Sequence, residues 1–291
     1  MTARPLRRLF RSLQKYGDFF RTPATILGEL RGTADLLLTQ HTHEFRRSHP
    51  NPLARFGQKC FSQGDEDGIT LEALRRMGLA ADGTYAEIGV GDGTENNSLI
   101  LAALGWKGFW IGAEPLAFDY RPGARFRFYR DWVTRENLLG LVRGGMSDLA
   151  AGALDFVSID VDGNDYYLAE ALLEAAIHPK LFVIEYNAKF PPPVRFRIAY
   201  DPAHTWKGDD YTGASLQSLA ELFQRHGYRL VCCNPQTGAN AFFVRGDCAG
   251  AFADVPADIA QIYVAPRYRL YHRYGHKQSA KLLEQLVRDP A

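Results

Sequence analysis

Cysteine is scarce in this chain, four residues in 291, and none of the four lies at a metal-binding spacing. Cys232 and Cys233 are neighbours on a predicted strand and point to opposite faces. All four, with Cys60 and Cys248, are expected to be reduced and mostly buried, which suits a cytoplasmic protein. Long apolar runs are also lacking, and the longest is far short of a membrane span. Arg4, Arg7, Arg8 and Arg11 near the start are not followed by an apolar stretch and cleavage site, so no secretory signal is expected. There is no internal repeat and no low-complexity tract. A large excess of either charge is lacking too, since the net charge is +1. That balance conceals basic ends. Residues 1–55 carry 10 Lys/Arg against 4 Asp/Glu, residues 266–291 carry 6 against 2, and residues 56–265 carry 18 against 27. Basic ends on an acidic body fit an anionic partner such as a membrane surface, or solvated faces, or ends that pack on the body. No nucleic-acid partner is expected.

What is present is enough chain for one large domain with extensions. Residues 5–20 read as an amphipathic helix with Leu6, Phe10, Leu13 and Phe20 near one face. Thr22-Pro23 is a good start for a second helix running to about Arg46. Residues 48–61 form a linker, and Ser62 is expected to cap a helix at 64–77 that Gly78 ends. From there strands at 84–90, 108–113, 126–131, 154–160, 180–186, 228–233 and 240–245 alternate with helices near 96–104, 135–143, 165–176 and 215–226. This alternation predicts a doubly wound α/β fold, a mostly parallel seven-stranded sheet with an α-helical N-terminal extension. The last two strands are separated only by Asn234-Pro-Gln-Thr-Gly-Ala239, which marks an antiparallel hairpin. The expected divisions are a helical extension at 1–55, a catalytic domain at 56–250 and a helical tail at 251–291.

The most informative segment is Thr84-Tyr-Ala-Glu-Ile-Gly-Val-Gly-Asp-Gly93, a buried strand entering a glycine-rich loop. Glycine permits a sharp turn and close approach of a ligand to the main chain, and an open α/β sheet presents nucleotides at such a turn. The spacing is G-x-G-x-G, not the G-x-G-x-x-G of dinucleotide sites. It resembles the first motif of the class I methyltransferases that use S-adenosylmethionine (SAM). By that resemblance Gly89 and Gly91 approach the cofactor and Glu87 handles its ammonium end. The segment Ser62-Gln63-Gly64-Asp65-Glu66-Asp67 resembles the S-Q-x-x-E-D stretch of FkbM-like methyltransferases, which implies cofactor-binding roles for Gln63 and Asp67. The second strand ends at Glu114, a carboxylate placed to accept two ribose hydroxyls. The third ends at Asp131-Trp132, where such enzymes hold the adenine.

The fourth strand ends Ile159-Asp-Val-Asp-Gly-Asn-Asp165 and resembles the I-D-x-(D/E)-G-x-(D/E) segment of the same family. Asp160 and Asp162 share a strand face, and close carboxylates raise one another's pKa unless a cation compensates. They are candidates for proton removal from an acceptor, while Asp165 reads as a cap. Glu185 and Asn187 at the end of the fifth strand, together with Asp160, resemble the metal site of metal-dependent O-methyltransferases, and Mg²⁺ is the ion such oxygens suit. The long loop at 188–214 is rich in aromatics and holds His204, a second candidate base whose ordinary pKa lies near working pH. The reading is a SAM-dependent methyltransferase acting on a hydroxyl of a glycan, sugar or natural product. The alternatives are a nicotinamide-dependent oxidoreductase and a non-catalytic carbohydrate- or partner-binding module. The N-terminal helices are expected to pack on the body, on a second subunit or on a membrane surface.

Overall fold

The structure, a computed structural model, describes residues 4–79, 81–267 and 280–288. It comprises two compact units that divide between Phe45 and Arg46. In the first, a single helix α1 spans Arg4–Ser48 with Pro23 inside it, where the sequence predicted two helices broken at Thr22-Pro23. An internal proline removes one backbone bond and costs about 3 kcal/mol. The good helix formers beyond it, Leu27, Leu30 and Leu36 to Leu38, carry the helix through. The side-chain faces expected for residues 5–20 lie outside the described residues.

The division falls earlier than the expected 55/56 because the following residues belong to the second unit. Arg46 pairs with Asp65 at 2.6 Å. The Asn51 amide donates to the Val231 carbonyl at 2.7 Å, and Leu53 and Ala54 are fully buried.

The second unit is built on one seven-stranded sheet. Its strands are β1 (Thr84–Ile88), β2 (Lys107–Gly112), β3 (Phe126–Arg130), β4 (Phe156–Ile159), β5 (Leu181–Glu185), β6 (Tyr228–Cys233) and β7 (Asn240–Arg245). The order is β3-β2-β1-β4-β5-β7-β6. All neighbours are parallel except β7, which runs antiparallel to both β5 and β6. This is the Rossmann-like methyltransferase arrangement expected from the alternation and the closing hairpin. Asn234 closes that hairpin, its side-chain oxygen accepting the amides of Ala239 and Asn240 at 2.8 and 2.9 Å.

The helices α2 (Glu66–Arg76), α3 (Leu99–Ala103), α4 (Leu138–Asp148), α5 (Asp165–Glu174) and α6 (Leu216–Arg225) flank the sheet. Every residue of β4 and the first four of β5 are buried, as strands covered on both faces require. Phe223 of α6 stacks on Phe243 of β7 at 4.0 Å between ring centroids, which packs α6 on the antiparallel end of the sheet.

Two local expectations are corrected. Ser62 does not cap α2, whose N-cap is Asp65; the Ser62 hydroxyl donates to Asp67 at 2.8 Å instead. The cysteines also differ in setting, with Cys232 and Cys233 buried, Cys248 half-buried and Cys60 exposed. In the tail, short 3₁₀ turns at Gly246–Phe252 and Ile259–Gln261 precede α7 (Ala280–Val287), which lies against α3; residues 268–279 of the predicted tail lie outside the described residues. No helix among the described residues is long and apolar enough to cross a membrane.

Candidate active site

The site forms where β1, β2, β3 and β4 end. Gly89 has φ +93°, and its amide donates to the Ile111 carbonyl at 2.9 Å. A Cβ at Gly89 would fall 1.6 Å from the Asp160 carbonyl oxygen, so the turn after β1 touches the end of β4 only because this residue is glycine. Gly91 has φ +52°, and a Cβ there would meet nothing within 4 Å. Its open side is part of a cavity of about 340 Å³, a volume within the range of small-molecule sites.

Gly89 and Gly91 line this cavity together with Glu114 beyond β2 and Asp131 and Trp132 beyond β3. Asp160 and Asp162 beyond β4 and His204 of the long loop are part of the same lining. Asn164, Thr205 and Trp206 also line it, and sequence reasoning did not single them out as site residues. The aromatic-rich composition around Trp206 was the one available signal.

Three expected cofactor residues lie elsewhere. Glu87 is 4 % exposed. One of its oxygens accepts the Asn97 amide at 2.8 Å; the other accepts the Ser98 amide at 2.9 Å and the Ser98 hydroxyl. Trp110 donates to that hydroxyl at 2.8 Å. Glu87 therefore anchors the chain entering α3. Burial raises its pKa, and these hydrogen bonds oppose the rise.

Asp67 is buried as well. Its Oδ2 accepts the amides of Cys60, Phe61 and Ser62 at 2.7, 2.7 and 2.9 Å, which shapes the loop before α2. Gln63 is exposed and away from the cavity lining. The acidic segment that contains them bonds to the β6–β7 hairpin instead, through Asp65 to Asn234 and Gln236 and through Glu66 to Asn240. Glu66 accepts the Gly64 amide at 2.9 Å and the Asn240 side-chain amide at 3.0 Å. Burial, then the neighbouring Asp65, pushes its carboxyl up to about 7. Asn240 is the register partner of Glu185, and the charge of Glu66 is felt at Asp160.

Oxygens of Asp160, Asp162 and Glu185 all lie within 4.8 Å of one another. Burial raises Asp160 and Glu185 well above the usual carboxylate range, and repulsion from the surrounding carboxylates adds to it. Asp162 is raised by burial too, with His204 pulling the other way. The Glu185 Oε2 atom is buried without a hydrogen-bond partner. Asp162 has φ +55°, a left-handed conformation that aspartate tolerates better than most residues. The turn is held by Asp165, which accepts the amides of Val161 and Gly163, both at 2.9 Å, and titrates near 6 because it is buried.

Asn187 is engaged with the long loop. Its amide donates to the carbonyls of Asp210 and Thr212, both at 3.0 Å, and its oxygen accepts the Lys189 amide at 3.2 Å. It is a tether for the long loop, and Asp162 takes the place assigned to it among the candidate metal ligands.

The loop is tied down at further points. Trp132 Nε1 donates to the Pro202 carbonyl and Asn164 to the Asp201 carbonyl, at 2.7 and 2.8 Å. Tyr167 donates to the Ile198 carbonyl at 2.7 Å, and Thr212 donates to the Asp162 carbonyl at 2.8 Å. The His204 ring lies against Gly163, where a Cβ would come within 2.3 Å of it. Its Nε2 is buried without a hydrogen-bond partner. The result is a cavity lined by glycine backbone, the exposed carboxylates Glu114 and Asp131, and Asp160 and Asp162 with His204. Such a site can hold a ligand bearing vicinal hydroxyls and a positive centre, and can draw a proton from an acceptor.

No family model and no curated protein matches the chain. Several solved structures resemble it. A candidate hemolysin from Lactococcus lactis aligns with 62 % of this chain and 86 % of its own, at 16 % identity and a TM-score of 0.40. The MycE methyltransferase of the mycinamycin biosynthetic pathway, in complex with Mg, SAH and mycinamycin VI, aligns with 61 % of this chain and 45 % of its own, at 18 % identity and a TM-score of 0.33. The precorrin-6y C5,15-methyltransferase from Geobacter metallireducens aligns with 64 % and 89 %, at 13 % identity and a TM-score of 0.30. At identities and TM-scores this low, neither activity nor ligand transfers to this chain.

Proposed function

We propose that this chain is a SAM-dependent methyltransferase that methylates a hydroxyl oxygen of a sugar, glycan or natural product. One observation carries the reading: Gly91, Glu114, Asp131–Trp132 and Asp160, at the ends of four adjacent strands, line a single cavity. The antiparallel β7 supports it over a nicotinamide enzyme. SAM, when bound, supplies an electrophilic methyl carbon on a sulfonium. Glu114 then accepts the ribose hydroxyls as charge-assisted bonds, and Asp131 with Trp132 holds the adenine. The acceptor lies toward His204 and Trp206.

His204, or Asp162 where no metal is bound, takes the acceptor proton, which is the one chemical task left to the protein besides alignment. Three carboxylates this close, two of them half-buried, do not all hold a charge unless a cation joins them. Their hard oxygen donors and the orphaned Glu185 Oε2 fit Mg²⁺. Asp160, Asp162 and Glu185 would hold it, and it would polarise an acceptor oxygen.

Calorimetry with S-adenosylhomocysteine (SAH) tests the cofactor half. The full chain should bind SAH and not NAD. Glu114→Ala should weaken SAH by roughly 1.5–3 kcal/mol, the worth of hydrogen bonds to a charged group. Unchanged affinity in a folded Glu114→Ala protein would remove the ribose assignment.

A further inference from the structure

We propose that α1 assembles with α1 of a second copy of this chain as an antiparallel coiled coil. The inference starts from periodicity. With Leu6 at heptad position a, the a positions are Leu6, Leu13, Phe20, Leu27 and Ala34, and the d positions are Leu9, Tyr16, Pro23, Leu30 and Leu37. The g positions, Ser12, Phe19, Ile26, Thr33 and Gln40, carry no charge either. Between Leu6 and Gln40 every charged residue falls at b, c or f except Arg31, at e. A straight helix drifts about 20° per heptad against a seven-residue repeat, roughly 100° over five heptads. A charge-free stripe that keeps seven-residue register for that long faces a partner that supercoils with it, which a flat bilayer does not.

The structure supplies the second observation. The whole repeat lies on one continuous helix. Where side chains are described, its seam is uncovered: Leu27, Leu30 and Leu37 are 48, 62 and 60 % exposed.

Charge selects the partner and its direction. Residues 4–21 carry six Lys/Arg and one acid, whereas residues 22–45 carry one Arg and three acids. A parallel pair would set the basic halves side by side. An antiparallel pair sets each basic half against the other's acidic half, and like-charge contacts are relieved along the length. One antiparallel register places every a residue opposite a d residue, with Leu6 facing Leu37, Leu13 facing Leu30, Tyr16 facing Leu27 and Phe20 facing Pro23. The bend-prone proline thus lies at the centre of the pair.

Sedimentation equilibrium on the full chain at micromolar concentration tests this, with circular dichroism and thermal melting to confirm folding. The wild type should show at least twice the chain mass. Leu27→Lys/Leu30→Lys/Leu37→Lys should be monomeric with its melting intact, and the milder Leu30→Lys alone should raise the dissociation constant at least tenfold. Leu36→Lys, at position c and 68 % exposed, should keep the wild-type mass. In a Cys60→Ser/Cys248→Ser background, Leu13→Cys mixed with Leu30→Cys should oxidise to a covalent dimer, and neither should do so alone. A monomeric wild type overturns the proposal, as does an oligomer that survives the triple change or is lost equally in Leu36→Lys. Self-linking of Leu13→Cys overturns the direction. A monomer that pellets with phosphatidylserine vesicles would assign the helix to a membrane instead.

Discussion

Glu66, buried at the start of α2, and Asp160, half-buried just beyond β4, make different demands on pH. Glu66 holds its proton to about 7 because it is buried beside Asp65. The sign follows from the proton count. Between the ordinary glutamate range and 7 the folded state binds more protons than the unfolded state, so stability falls as pH rises through that window. A displacement from 4.5 to about 7 corresponds to on the order of 3 kcal/mol. Glu66→Gln keeps the shape and removes the titration. Its melting temperature should be flatter than the wild type's between pH 5 and 7.5, as read by calorimetric scans. A parallel pair of profiles would show that Glu66 is ionised throughout.

Asp160 is surrounded by Asp165, Asp162, Glu87 and Glu66, and its carboxylate partners are eased by a cation or by protons. If the triad holds Mg²⁺, chelator should abolish methyl transfer and Mg²⁺ should restore it. Without metal, chelator should change nothing and Asp160→Asn should still be inactive. Full activity in both chelated enzyme and Asp160→Asn would contradict either form.

At the scale of elements, the sequence was most legible where hydrophobic pattern and glycine spacing coincide. β4 and β5 are near-continuous apolar runs, and all seven strands lie within a few residues of their predicted positions. The loop after β1 is where its glycines put it. The rest depended on which way individual polar side chains turn. Glu87, Asp67 and Asn187 stand beside cofactor or metal motifs in sequence, yet each turns to backbone amides or carbonyls that fold would otherwise leave unpaired. Spacing alone does not encode that choice. Pro23 misled for a related reason, because a local stop signal competes with favourable propagation on both sides.

The long loop gives the test at this scale. Asn187 ties its far end at Asp210 and Thr212. Asn187→Ala should cost about 0.5–1.5 kcal/mol for each of these hydrogen bonds lost. It should expose 188–214 to limited proteolysis and lower turnover while SAH affinity, set at β1 to β3, is kept. Loss of SAH binding with an intact loop would place Asn187 in the cofactor site after all.

At the scale of the whole molecule, two compact units differ in kind. One is a single basic helix with a seven-residue stripe; the other is a sheet with an acidic edge. The basic ends noted in the sequence belong in part to that helix. The cavity at the ends of β1 to β4 is proposed as the cofactor site. A crystal structure of the full chain grown with SAH tests it most directly. SAH density is expected with its ribose hydroxyls on Glu114, its adenine beside Asp131 and Trp132, its chain against Gly91 and its sulfur turned toward Asp160. Density for SAH anywhere else, with this cavity filled only by water, would contradict it.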